Sequence, residues 1–205
     1  MTLLEYMIDE FNYNEPISIN SIRYYNYSRQ WLFKELKSLI EKGEIKRFTN
    51  GIYYIPKKMF YGHSYLDPRK VVERRFISNG VDIYGYISGV SLLNQVGLTT
   101  QVPNLIELVT NRETTRVRDI NVGNQRVRAR RARTTITMEN VNVLQLLDLM
   151  TAIKPVNMGD TERFMLSKYT KSSGVTRASV MQYLCYFPAR TATNLVECGV
   201  VYELA

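Results

Sequence analysis

The stretch EIKRFTNGIYYIP, residues 44–56, decides how the first sixty positions are read. Two runs of β-branched and aromatic residues flank Thr49-Asn50-Gly51. Lys46 and Arg47 lie on the first arm, and Tyr53 and Tyr54 on the second. Asn-Gly is suited to the positive backbone dihedrals of a tight turn, so the segment predicts a β-hairpin. Two registers stay open: a two-residue Asn50-Gly51 turn, or a three-residue loop with Gly51 left-handed in a bulge.

On the N-terminal side the pattern is helical. Between Arg29 and Lys42, Leu32, Phe33, Leu36, Leu39 and Ile40 gather in one arc at helical spacing. The reverse side carries Trp31, Lys34 and Ser38 at its middle, with Gln30 and Lys37 on one flank. Ser28 is a good N-cap, and Gly43 follows as a helix-ending residue. Further back, Ser18 is placed to cap a brief helix through Ile19 to Ile22. Leu3, Leu4, Met7, Ile8 and Phe11 form the apolar stripe of a first helix that stops before Pro16. Three short helices and then a two-stranded hairpin is the order of a winged helix-turn-helix, whose last helix enters a DNA major groove while the hairpin reaches the flanking backbone.

On the C-terminal side a second, mixed helix-sheet domain is expected over 61–205, against 1–60 for the first, giving an α+β protein. A helix is predicted at 69–78, another from Ser88 to Gly97, and a buried strand at 105–110. A second hairpin turns at Gly123-Asn124 within 116–131. Helices follow at Val143–Ile153, Asp160–Tyr169, Thr176–Tyr186 and about 190–198.

Composition narrows the function. Hydrophobic residues make up 45% and charged residues 22% of the 205, an ordinary globular balance. The opening MTLLEYMIDEF is too polar for a secretory leader, and no window has the ~18 uninterrupted apolar residues of a membrane span, so a cytoplasmic location without membrane partners is expected. Cys185, Cys198 and the single His63 cannot assemble a four-ligand zinc site; both cysteines read as core thiols, and no metal or cofactor is expected. Net charge is +8, and most of the excess is mid-chain, where residues 101–138 hold eight Lys and Arg against three Asp and Glu. Such a balance favours an anionic partner.

The candidate DNA-contacting residues are Ser28, Arg29, Gln30, Trp31, Lys34 and Lys37 on the helix, with Arg47, Thr49 and Asn50 on the hairpin. Arg29 and Gln30 suit base edges, whereas Ser28 and, on the hairpin, Arg47, Thr49 and Asn50 suit phosphates. Packing of Trp31 against the second domain is the alternative to an outward role. In the second hairpin a two-residue turn sets Asp119 opposite Arg128 and Ile120 opposite Val127. Arg126, Arg128 and Arg130 then share one face, either as an anion-facing strip for nucleic acid or a partner, or as a solvated face with an Asp119–Arg128 pair. No catalytic constellation emerges: His63 has no visible partner, and Glu107 and Asp82 lack the lysine of a metal-dependent nuclease strand, so the chain is not expected to be an enzyme. A protein-interaction module without DNA binding, or a nuclease-like enzyme, are the rival readings.

The segments KSLIEKGEIKRFTNGIYYIP and GYISGVSLLNQVGLTTQVPNLIELVTNRETTRVR, with the late YLCYFPARTATNLVE, resemble the AbiEi-type abortive-infection antitoxins over nearly the whole chain. That resemblance implies a bacterial type IV toxin–antitoxin regulator. Its winged helix would bind double-stranded promoter DNA to repress its own operon, and its second domain would counteract a nucleotidyltransferase toxin. The family contributes no catalytic residues.

Overall fold

The computed structural model describes every residue except Tyr25, Asn26, Tyr61 and Ala205, and only the backbone of Asn157. The chain has mixed α+β architecture, with eight α-helices and two sheets among the described residues. It divides into two compact units, Met1–Val72 with Val122–Asn124, and Glu73–Asn121 with Gln125–Ala205. No helix among the described residues is long and apolar enough to cross a membrane.

In the first unit, α1 (Leu3–Phe11) opens with a reciprocal cap. Thr2 Oγ1 accepts from the Glu5 amide at 3.2 Å, and Glu5 Oε2 accepts from the Thr2 amide at 2.7 Å, so two N–H groups that the helix leaves orphaned are satisfied. The chain then forms β1 (Ile17–Ser18) and a single 3-10 turn at Ile19–Ser21, capped by Ser18 as the sequence predicts. Helix α2 (Arg29–Glu41) starts at Ser28, whose Oγ accepts from the Trp31 amide at 3.2 Å, and Gly43 turns left-handed just beyond it at φ +73°.

Strands β2 (Lys46–Thr49) and β3 (Ile52–Tyr54) follow, and the sheet runs β1-β3-β2, all antiparallel. Elements of both registers appear. Thr49 pairs with Ile52 across Asn50-Gly51, yet Arg47 pairs with Tyr53, so Phe48 is an extra residue in a bulge. Only Gly51 has positive φ, at +76°; Asn50 does not share it. Leu3, Met7, Ile17, Ile22, Leu36, Leu39, Ile45 and Tyr53 close the core beneath this sheet.

After α3 (Pro68–Phe76), the second unit builds on a four-stranded sheet ordered β4-β5-β7-β6, from β4 (Gly85–Ile87), β5 (Leu105–Thr110), β6 (Val117–Val122) and β7 (Gln125–Arg131). Strand β4 is absent from the sequence reading. It pairs antiparallel with β5, which pairs in parallel with β7, so the row Tyr86, Val109, Arg130 lies side by side. The β6–β7 hairpin keeps the predicted register: Arg131 N donates to Arg116 O at 3.3 Å, in step with Asp119 opposite Arg128. Gly123 alone takes positive φ in its turn, at +60°, the form with glycine first.

Helices α4 (Gly89–Val96), α5 (Val141–Ala152), α6 (Asp160–Ser172), α7 (Arg177–Tyr183) and α8 (Ala189–Glu197) complete this unit. The helix expected over Thr176–Tyr186 ends at Tyr183 and tightens into a 3-10 turn at Leu184–Tyr186. Helix α5 is the centre of the core. Leu146, Leu147, Leu149 and Met150 have no exposure, and each is worth ~1.5–3 kcal/mol of hydrophobic stabilisation. Asn194 of α8 donates to the Met150 and Ile153 carbonyls at 2.7 and 3.1 Å, satisfying the end of α5.

The expectation that both cysteines are core thiols is corrected. Cys185 is exposed within the Leu184–Tyr186 3-10 turn, and Cys198 is half-buried, with Met158 Sδ at 3.7 Å.

Candidate nucleic-acid interface

Helix α2 sets its side chains in two bands. Leu36 and Leu39 are buried in the core, while Ser28, Arg29, Gln30, Lys34 and Lys37 are exposed, as the helical period predicts. The edges of the bands differ from expectation. Trp31, assigned to the middle of the polar side, is half-buried. Its ring stacks on Tyr27 at 4.1 Å between centroids and faces Tyr24 at 5.9 Å, and it packs on the core of its own unit. Phe33, assigned to the apolar arc, is 49% exposed. The cause is the aromatic segment before the helix: tyrosines from the preceding loop cover one shoulder of α2, so the core stripe is rotated toward Trp31 and Phe33 is left on the outer band between Arg29 and Lys37.

The outer band is therefore Arg29, Gln30, Phe33, Lys34 and Lys37. Arg29 Nη2 donates to Asn20 Oδ1 at 2.7 Å, which ties the helix start to the 3-10 turn. Lys37 lies 3.9 Å from Glu41 one turn on, with both side chains well exposed, a pair that salt screens and that contributes little. On the hairpin, Arg47 and Asn50 are exposed and Thr49 half-exposed; Arg47 Nη2 donates to Asn50 Oδ1, linking two predicted phosphate-contacting side chains across the turn. Lys46 stands 5.4 Å from the centre of the Tyr65 ring, a cation–π contact.

The second basic surface keeps its geometry, but two of its charges are already spoken for. Arg126 is exposed. Arg128 grips Asp119 with two hydrogen bonds, Nε to Oδ1 and Nη2 to Oδ2, each 2.8 Å, and these hold the Asp119 carboxyl below the usual range. Arg130 Nη2 donates to Asp148 Oδ2 at 2.7 Å and to Ser88 Oγ at 2.9 Å. Asp148 is only 3% exposed, and burial pushes its carboxyl up despite the guanidinium beside it.

The carboxylates weighed for catalysis have structural partners. Glu107 Oε2 accepts from the Val90 amide at 2.8 Å and caps α4, where Ser88 is the expected cap by residue type; the Ser88 hydroxyl serves Arg130 instead. Gly89 is required at that junction, since a Cβ there would fall 1.9 Å from Glu107 Oε2. Asp82 Oδ2 accepts from Asn79 Nδ2 at 3.2 Å in a loop, and His63 is exposed, bridged to Lys58. Among the described residues no three His, Cys, Asp or Glu side chains converge as metal ligands.

The fold and this outer band define a two-unit α+β protein with an exposed cationic helix beside a bulged hairpin. Residues 20–156 match the model of DUF6088, a family of unknown function, and the chain belongs to that family. A comparison with curated proteins finds no match.

Proposed function

We propose that residues 1–72 act as a winged helix-turn-helix and that the protein is a promoter-binding transcriptional repressor. In this reading α1, the Ile19–Ser21 turn and α2 are the three helical elements, α2 reads the major groove, and the β2–β3 hairpin is the wing. One observation carries it: Arg29, Gln30, Phe33, Lys34 and Lys37 are exposed along one band of a Ser28-capped helix, and a hairpin bearing Arg47 and Asn50 follows immediately. The helix N-terminus and Ser28 suit a phosphate, and Arg29 and Gln30 suit base edges. The resemblance to AbiEi-type antitoxins extends the reading to a cytoplasmic antitoxin that regulates its own operon and opposes a nucleotidyltransferase toxin. The chain itself binds and performs no chemistry; Glu107, engaged as a helix cap, supports that assignment.

Binding to the operon's own promoter, measured across a salt series, tests the first claim. Each neutralised phosphate adds roughly −0.9 to the slope of log affinity against log salt, so Lys34→Ala and Arg47→Ala each flatten it by about one unit. An unchanged slope in both variants, or no preference for the promoter over random DNA, leaves a protein-interaction module as the better reading. The second claim requires a nucleotidyltransferase gene beside this one, and co-expression with its product then restores growth; absence of such a gene, or no restored growth, overturns it.

A further inference from the structure

Where β7 leaves the sheet, the second unit opens into a recess of about 380 Å³ lined by Tyr86, Arg116, Arg130, Arg131, Arg133, Asp148 and neighbouring apolar residues. Four arginines and one carboxylate line it, and Asp148 is already engaged by Arg130. Among the described residues, none of Arg116, Arg131 and Arg133 has an acidic side chain at ion-pair distance.

Two of these guanidiniums are held in place. Arg130 gives a single nitrogen, Nη2, to Asp148 and Ser88; its Nε and Nη1 have no protein partner among the described residues. Arg133 sits over the Phe187 ring at 5.2 Å from its centre, a cation–π contact that orients it. Both arginines line the recess together with Tyr86 and Asp148. Fixed guanidiniums with donors to spare are pre-organised for an anion, because little side-chain freedom is lost on binding. The arginine fork matches the oxygens of a phosphate, whose charge of about −1.5 to −2 as a monoester offsets more than one guanidinium. The volume falls in the range of ~300–1,000 Å³ typical of small-molecule sites and equals roughly a dozen waters at ~30 Å³ each, more than a bare ion needs.

We propose that this recess binds a small phosphate-bearing molecule, its phosphate on Arg130 and Arg133 and its organic part against the Tyr86 and Val109 wall. The proposal does not depend on the first unit's binding DNA. A duplex is too wide to enter such a recess and would reach only the rim.

Calorimetric titration of the full chain with AMP, inorganic phosphate and succinate tests it. Saturable 1:1 binding of AMP is expected. Arg133→Ala weakens it tenfold or more, as loss of a charge-assisted hydrogen bond does. Arg130→Lys weakens it similarly, because a point charge opposite Asp148 preserves the ion pair but loses the fork. Lys168→Ala, an exposed charge on α6, leaves it unchanged, and melting without ligand checks that all three variants are folded. AMP binding more tightly than inorganic phosphate sustains an ester as occupant; equal affinities would overturn the placement of an organic part against that wall. No saturable binding of either, affinity indifferent to both arginine variants, succinate binding as tightly as AMP, or displacement of AMP by any duplex would each overturn the proposal.

Discussion

Strand β7 carries two arginine–carboxylate pairs two residues apart, and their burial separates them. Arg128–Asp119 is open to solvent, with side chains 40% and 49% exposed. Arg130–Asp148 is not: the side chains are 29% and 3% exposed, and the oxygen is 2.7 Å from the nitrogen. Removing one member of a buried pair strands the other, which costs ~3–5 kcal/mol, whereas an exposed pair is largely replaced by water. Asp148→Ala is therefore expected to lower urea stability by ~3–5 kcal/mol, roughly 6–20 °C in melting temperature for a chain of this size. Asp119→Ala moves the midpoint little. The pH dependence adds a sign. Because burial raises the folded Asp148 pKa above its unfolded value near ~4, the folded state holds its proton longer, and stability from this group is lost as pH rises through the folded value. Asp148→Asn keeps an acceptor for Arg130 and does not titrate, so its deficit relative to wild type shrinks as pH rises through that window. A deficit that grows with pH would mean that Arg130 outweighs desolvation. An Asp148→Ala variant within ~1 kcal/mol of wild type would refute the buried pair altogether.

Two further outcomes probe other contacts. If Phe33 meets a thymine methyl in the groove, Phe33→Ala erases a thymine preference of roughly fourfold, about 0.8 kcal/mol, and deoxyuridine at that position does the same to wild type; a preference that survives both changes removes Phe33 from the interface. Gly89→Ala, at φ +58° and with its new methyl on Glu107 Oε2, is expected to cost roughly 2–3 kcal/mol from backbone strain and loss of the α4 cap; an unshifted urea midpoint would contradict that capping role.

What the sequence revealed was local. Ser18, Ser28 and Gly97 mark element ends because capping and left-handed turns depend on one or two residues, and all three stand at those ends. The 116–131 hairpin was legible down to its register, since glycine at the turn and period-two alternation together leave one pairing. What it concealed depended on distant partners. No helical projection shows that Tyr24 and Tyr27 will cover Trp31 and turn Phe33 outward. Strand β4 spans three residues and exists because β5 lies beside it. Asp148 sits in a helix apolar almost all round, and nothing in its own neighbourhood announces that Arg130, eighteen positions earlier, will find it. Glu107 and Ser88 exchanged the roles their types suggest because the sheet brings both to one corner.

Strand β7 lies between β5 and β6, although it is the last of the three to be made. During synthesis, the β5 edge that will receive it emerges before residues 125–131 exist, and for that interval it offers unpaired amides to whatever strand is near. Strand β6 cannot occupy the place in parallel, for it runs the opposite way. The second unit can thus finish assembling only after the arginine-rich arm has left the ribosome and slipped into the gap, so a chain stopped near residue 124 carries an open seam that invites aggregation.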